Sequence, residues 1–312
     1  MPFTILGLQD EEALVLEMGM NHFGEISLLT SIAKPDICII TNIGTSHIGN
    51  LGSRENILKA KLEILEGAKE PVVIINNDND LLHEWYKNNK ENIKIYTYGI
   101  KEKSDVMAQN MKMRDENSEF TSNINGEDVK INVPVGGEHF ILNALCALTV
   151  GEVLKIDSAK MVKGIESFEL TKKRMDITEK DGIKIINDAY NASLESMKAS
   201  LKYLSELKNK RKIAVLGDMF ELGDYAKQLH EEVGKEVCKN KIDLLFCTGE
   251  NSKYIAKQAE VEGMEKNNIY YMKNKEEIIK KLKEIMKNGD VILIKASNGM
   301  KFYDLPEKII EK

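Results

Sequence analysis

Residues 36–65, DICIITNIGTSHIGNLGSRENILKAKLEIL, pass from an apolar run through a glycine-rich loop into a segment of helical period. A short apolar run closed by polar residues reads as a strand buried on both faces. Ser53 is the expected N-cap of the helix that follows, and Ile57, Ile64, Leu65 and Ala68 recur at helical spacing. Strand, loop and helix in this order form the repeating unit of an α/β fold. The helix carries two lysines that cannot face the same way. Lys61 falls four residues after Ile57 and three before Ile64, which puts it on the apolar stripe. Lys59 lies four residues from both Glu55 and Glu63, where ion pairing on a wet face is expected. A lysine withdrawn from water loses part of the stabilisation of its charge, so its pKa falls and a neutral amine appears. Such an amine can take up carbon dioxide as a carbamate, a carboxylate-like metal ligand. The alternative is a lysine that packs its stem and keeps its head in water.

The same alternation extends in both directions. ALVLEM, DICIITN and PVVIIN read as strands in the first half, with helices near EISLLTSIA, after Ser53 and after Asp78. From about Asp105 to Val135 the pattern becomes alternating, and Asn125-Gly126 marks a hairpin, so an antiparallel insert is expected there. Helices follow at EHFILNALCALTVGEVL and SAKMVKGIESF. LTKKRMD then reads as a boundary, after which GIKIIND, KIAVLGD, DLLFCTG, NIYYM and DVILIKAS restart the alternation as a second open α/β domain. The expected units are 1–170 and 171–312. Glu17, Asn42, Asn76, Asp188, Asp218 and Lys295 end strands in this reading. Ligands of open parallel sheets collect at that carboxyl edge, which suggests sites facing a shared cleft.

Composition narrows the function. The chain has 312 residues, 42% hydrophobic and 30% charged, with a net charge of -6, and its lysines alternate with acids instead of forming a basic stripe. Nucleic acid is therefore not an expected partner. No apolar run approaches the ~20 residues that span a bilayer, and the start shows no basic segment leading into a long apolar one. A cytoplasmic protein without membrane insertion is expected. Cys38, Cys146, Cys238 and Cys247 lie in apolar segments without CxxC spacing, which points to buried free thiols. No GxGxxG follows a strand, which argues against a nicotinamide dehydrogenase. His47 in the glycine-rich loop and Glu17 at the end of LVLE are candidate ligands beside Lys61. With bound phosphate they would make a magnesium nucleotide site.

LEMGMNHFGEI, TNIGTSHIGNLGS, KAKLEI, GEHFILNALCAL, NDAYNAS and LGDMFELG occur in the order found in the Mur ligases, and the chain resembles that family from about Phe3 to its C-terminus. DAYNAS together with GDMFELG is most like the branch that joins D-alanyl-D-alanine to UDP-N-acetylmuramoyl-tripeptide. The resemblance implies a central ATP-binding domain, mostly a parallel sheet with a small antiparallel insert, followed by a C-terminal Rossmann-like α/β domain. It implies ATP and Mg2+ as cofactors, with Glu17 on one ion and His47 and carbamylated Lys61 on a second. By the same resemblance Asn143, with His139 one turn before it, meets adenine. Arg174 contacts the ATP phosphates across the domain gap, while Asp188 and Tyr190 meet the nucleotide and Asn191 the substrate. Lys295 and Ser297, also substrate-binding by the resemblance, fall in a loop that in the family usually reads Lys-Gly-Ser-Arg, but Asn298 stands here in place of the arginine. The family also carries an N-terminal uridine-nucleotide domain and a GxxGK[ST] phosphate loop, and neither motif occurs in these residues. The chain by itself is accordingly expected to have little or no ligase activity, whether the sequence is truncated or a partner supplies the missing part; a non-catalytic binding or scaffold remnant is the alternative reading.

Overall fold

The computed structural model describes residues 1–170, 173–208 and 210–311. The first part is built on four parallel strands, β1 (Ile37–Ile40), β2 (Val72–Asn76), β3 (Ile95–Gly99) and β4 (Val106–Met107), arranged side by side in that order. Val73, Ile74 and Ile75 are fully buried, as expected of a strand covered on both faces. The helices α1 (Pro2–Leu6), α2 (Glu25–Ala33), α3 (Ile48–Leu51), α4 (Arg54–Leu62) and α5 (Asp80–Asn89) precede or connect these strands. Ser53 caps α4 by accepting from the Asn56 amide, and Asn79 caps α5 by accepting from the Leu82 amide. ALVLEM, expected as a strand, forms none. Residues 13–18 pair with no strand, β1 remains an outer strand of its sheet, and Leu14 and Val15 are exposed.

The antiparallel insert consists of β5 (Gln109–Met113), β6 (Ser118–Ile124) and β7 (Glu127–Val133), while Val106–Met107 joins the parallel sheet instead. Asn125 and Gly126 take φ of 53° and 84°, the left-handed pair that a two-residue hairpin requires. Helices α6 (Glu138–Val153) and α7 (Ser158–Glu166) complete this part, and Asp157 caps α7.

The second part is a six-stranded sheet ordered β12-β11-β10-β13-β9-β8. Its strands are β8 (Asp176–Lys180), β9 (Ile183–Asn187), β10 (Arg211–Leu216), β11 (Leu244–Cys247), β12 (Ile269–Tyr271) and β13 (Asp290–Lys295). All run parallel except β8, which pairs antiparallel with β9. The segment LTKKRMD, read as a boundary, runs into β8 at Asp176, and its Thr171 and Lys172 lie outside the described residues. Helices α8 (Leu194–Glu206), α9 (Ala226–Lys239), α10 (Ser252–Val261), α11 (Lys275–Ile285) and α12 (Leu305–Ile310) cover the sheet. One apolar cluster gathers Ile57, Ala60 and Val73 from the first part with Met197, Leu201 and Leu216 from the second. Among the described residues no helix is long and apolar enough to cross a membrane. The four cysteines are free thiols, three of them buried.

Candidate functional site

At the carboxyl end of β1 the chain turns through Asn42–His47 into α3 and α4. The Lys61 amine points back beneath this loop and donates to the Asn42 carbonyl at 2.7 Å. Burial lowers its pKa, and the Glu195 carboxylate partly restores it. Lys59 faces solvent as expected, but Glu63 does not join it there. The Glu63 carboxylate is buried and accepts from the Gly24 amide at 2.8 Å and the Ser27 amide at 3.2 Å. It therefore serves the N-terminus of α2, where exposed amides and the helix dipole favour an anion. Arg54 forks onto Asp80 and donates to the Ile43 carbonyl at 2.9 Å, while Asn79 donates to the Asn42 side chain and the Ile43 carbonyl. Those bonds fix the loop over the amine.

The loops after β9 and β10 of the second sheet meet this loop. His47, left-handed at φ 64°, shares its Nδ1 with Glu221 Oε2 at 2.5 Å. Thr45 donates its hydroxyl to Glu195 Oε2 at 3.1 Å, the Gly49 amide donates to the Glu221 carbonyl at 3.0 Å, and the Tyr225 hydroxyl donates to the Gly52 carbonyl at 2.6 Å. Glu17 is exposed on the unpaired segment before α2, and its carboxylate has no hydrogen-bond or ion-pair partner among the described residues. Nor do three His, Cys, Asp or Glu side chains converge among the described residues to hold a metal. Magnesium ordinarily takes only one or two protein ligands and completes its shell with phosphate and water, so its fit rests on single donors. The His47 imidazole is a suitable donor. Lys61 would be one as its carbamate, which offers the oxygen atoms that magnesium prefers.

At the same carboxyl edge of the second sheet, the ends of β9 and β13 form a closed polar knot. Lys295, 3% exposed, donates to Asp188 Oδ2 at 2.5 Å and to the Asn191 carbonyl at 3.2 Å, and Ser200 donates to the same Asp188 oxygen at 2.6 Å. Asp188 Oδ1 accepts from the Met175 amide. Ser297 is equally buried and accepts from the Phe220 amide at 2.9 Å. Asp188, Lys295 and Ser297 thus come together, but their polar atoms are engaged with one another and the backbone. Arg174 remains exposed and lays its guanidinium over the Tyr190 ring at 4.2 Å. Asn298, standing where an arginine was expected, donates to the Tyr190 carbonyl and so supports that ring. Asn191 is exposed beside it.

His139 and Asn143, one turn apart on α6, open onto different cavities. Asn143 lines an apolar cavity of about 490 Å³ with Phe140, Ala147, Leu148, Ile165 and Phe168. His139 lines one of about 640 Å³ with Glu138, Lys198, Lys202 and Tyr203, between α6, α8 and α9. Burial pushes the His139 imidazole down to about 4. Glu195 and Glu221 were not legible as site residues, because their partners lie 150 and 174 positions away and no periodicity links them.

Two α/β parts whose strand-end loops meet over a buried amine, with a stacked arginine and an apolar cavity nearby, make a two-part ligand-binding protein. The chain belongs to the Mur ligase family, matching the Mur ligase middle domain over residues 2–151 and the Mur ligase glutamate ligase domain over 173–298. It is 38% identical, over 100% of its length and 67% of the relative's, to the UDP-N-acetylmuramoyl-tripeptide–D-alanyl-D-alanine ligase of Bacillus subtilis (strain 168). The enzyme of that name from Rickettsia prowazekii is 32% identical over 97% of the chain and 66% of its own length. Among solved structures, MurF from Acinetobacter baumannii superposes with a TM-score of 0.85 at 27% identity, over 94% of this chain and 64% of that one. MurF ligase from Thermotoga maritima in complex with ADP gives 0.85 at 28%, over 99% and 69%. The chain thus spans about two thirds of the length of these relatives.

Proposed function

We propose that this chain takes part, in the cytoplasm, in the ATP- and Mg2+-dependent ligation of D-alanyl-D-alanine to UDP-N-acetylmuramoyl-tripeptide, a step of peptidoglycan precursor synthesis. The observation that carries the reading is the 38% identity to a ligase of that name along the whole chain. In such a reaction ATP phosphorylates the peptide carboxylate, and the dipeptide amine then attacks the acyl phosphate and expels phosphate. Magnesium, when bound, supplies positive charge to the transferring phosphoryl group. Glu17 would hold one ion, and His47 with Lys61 as its carbamate a second.

The chain's own groups do the positioning. Asn143 offers an amide to the edge of a base in the apolar cavity. Arg174, kept extended by the Tyr190 face, sets charge against phosphate oxygens. Asp188 and Lys295 hold the NDAYN turn in register, so that Tyr190 and Asn191 face nucleotide and substrate, and Ser297 secures the neighbouring loop. Residues 1–170 would form the ATP-binding unit and 171–312 the unit that closes on it, excluding water from the acyl phosphate.

These 312 residues contain no GxxGK[ST] run, so turnover by the purified chain alone is expected at background, and a partner supplying that loop would raise it. Calorimetry provides the test. Saturable binding of Mg-ADP, weakened roughly tenfold in Arg174→Ala, is the expected outcome. Failure to bind ADP, the tripeptide nucleotide and D-alanyl-D-alanine alike would count against the reading, and tripeptide-dependent ATP hydrolysis by the chain alone would overturn the expectation of background turnover.

A further inference from the structure

Glu195 stands in the first turn of α8, where Ser193 and Ser196 cap the helix reciprocally and fix how the turn leaves the sheet. Its carboxylate crosses to the loop after β1. There it accepts from the Thr45 hydroxyl and lies where a side chain on Gly44 would otherwise be, since a Cβ at Gly44 would come within 2.6 Å of the carboxyl carbon. Its charge acts on both the Lys61 amine and the Arg54 guanidinium. Two positions along the same loop, His47 receives a second carboxylate, that of Glu221. With Lys61 as the free amine seen here rather than as its carbamate, residues 44–47 and the amine beneath them present a hydroxyl, an imidazole and an amine around a position without a Cβ. This set of donors recognises oxyanions, and the two that it holds come from the other half of the molecule.

We propose that Glu195 is an internal competitor for this notch: a ligand's phosphate group enters against Gly44, Thr45 and Lys61 only by displacing the Glu195 carboxylate. Charge requires displacement. Two like charges this close repel strongly, and a phosphate bears more than one. A carboxylate and a phosphate therefore cannot both lie against Gly44, where Glu195 already fills the place of a Cβ. Glu195 thereby couples ligand entry to the joint between the halves, because the group that leaves is one of those holding α8 to the loop. Ligands with a single weak anionic group gain too little to displace it, so the residue favours di- and triphosphates. The inference rests on the proposed function only for the kind of ligand, and the notch itself is defined by contacts within the chain.

The experiment uses the full chain and magnesium-free inorganic pyrophosphate, which carries neither base nor peptide. Glu195→Gln keeps an acceptor for Thr45 and removes the charge. By calorimetry pyrophosphate should bind this variant roughly fivefold more tightly than the parent chain, and the gain should vanish when Thr45→Val is added. Hydrogen exchange at the amides of residues 45–48 should slow at correspondingly lower pyrophosphate concentration. Glu195→Ala serves as a second variant, and thermal melts establish that each one is folded. Equal or weaker binding to both Glu195 variants, or no saturable binding to any chain, overturns the proposal. A Glu195→Gln gain that persists where ADP and the peptide ligands fail to bind would reject the ligase reading and leave the notch standing.

Discussion

His139 sits on the first turn of α6 with Asp188 and Lys295 in electrostatic reach, facing a cavity between the halves, and its imidazole is held near 4 by burial. A histidine whose folded pKa lies below its unfolded value contributes stability that is complete above about 6.5 and is lost as pH falls toward 4. Denaturant titrations from pH 7.5 to 4 should therefore show the parent chain losing on the order of 1–3 kcal/mol more than His139→Asn. Parallel curves for the two would show that the ring protonates in the folded state without cost. Lys61 was legible at this scale because one helical period decides which of two lysines faces inward. Glu63 was not, since the same periodicity says nothing of the Gly24 and Ser27 amides, 39 and 36 residues away, that draw its carboxylate inside.

Helix α10 begins on a side chain from another element. Asp218, after β10, accepts from the amides of Glu250, Asn251 and Ser252 at 2.8, 3.0 and 2.7 Å, and Gly249, at φ 132°, leaves room for that carboxylate, which a Cβ there would strike. Asp218→Ala should cost about 2–3 kcal/mol in chemical denaturation, the range for removing a charged acceptor from several buried donors. It should also release the amides of the first turn of α10 to hydrogen exchange. A loss below about 0.5 kcal/mol would show that other groups satisfy those donors. Asp218 was read only as a polar strand end, and its partners, lying beyond the next strand, gave no signal. The parallel strands themselves were legible as apolar runs, and the Asn125-Gly126 hairpin as turn chemistry. ALVLEM had the composition of a strand, but pairing needs a neighbour that composition does not provide. Strand β8 was missed although Asp181-Gly182, at φ 52° and 75°, carries the same turn signature between alternating residues.

At Gly49 and Gly223 the two halves meet main chain to main chain. A Cβ on Gly49 would lie 2.5 Å from the Gly223 nitrogen, 2.7 Å from the Glu221 oxygen and 2.7 Å from the Leu222 carbonyl carbon, all backbone atoms that cannot rotate aside. Gly49→Ala should therefore part the joint, disrupting the His47–Glu221 and Tyr225–Gly52 bonds. We expect a larger radius of gyration by small-angle scattering and a loss of about 1–3 kcal/mol, as for overpacking in a dense interior. An unchanged scattering profile with an unchanged denaturation midpoint would refute the joint as described. A seam made of side chains can yield by degrees, each rotamer absorbing part of a mismatch. The point where two glycine backbones meet has no such cushion, so that part of the joint engages or lets go as a ratchet tooth does.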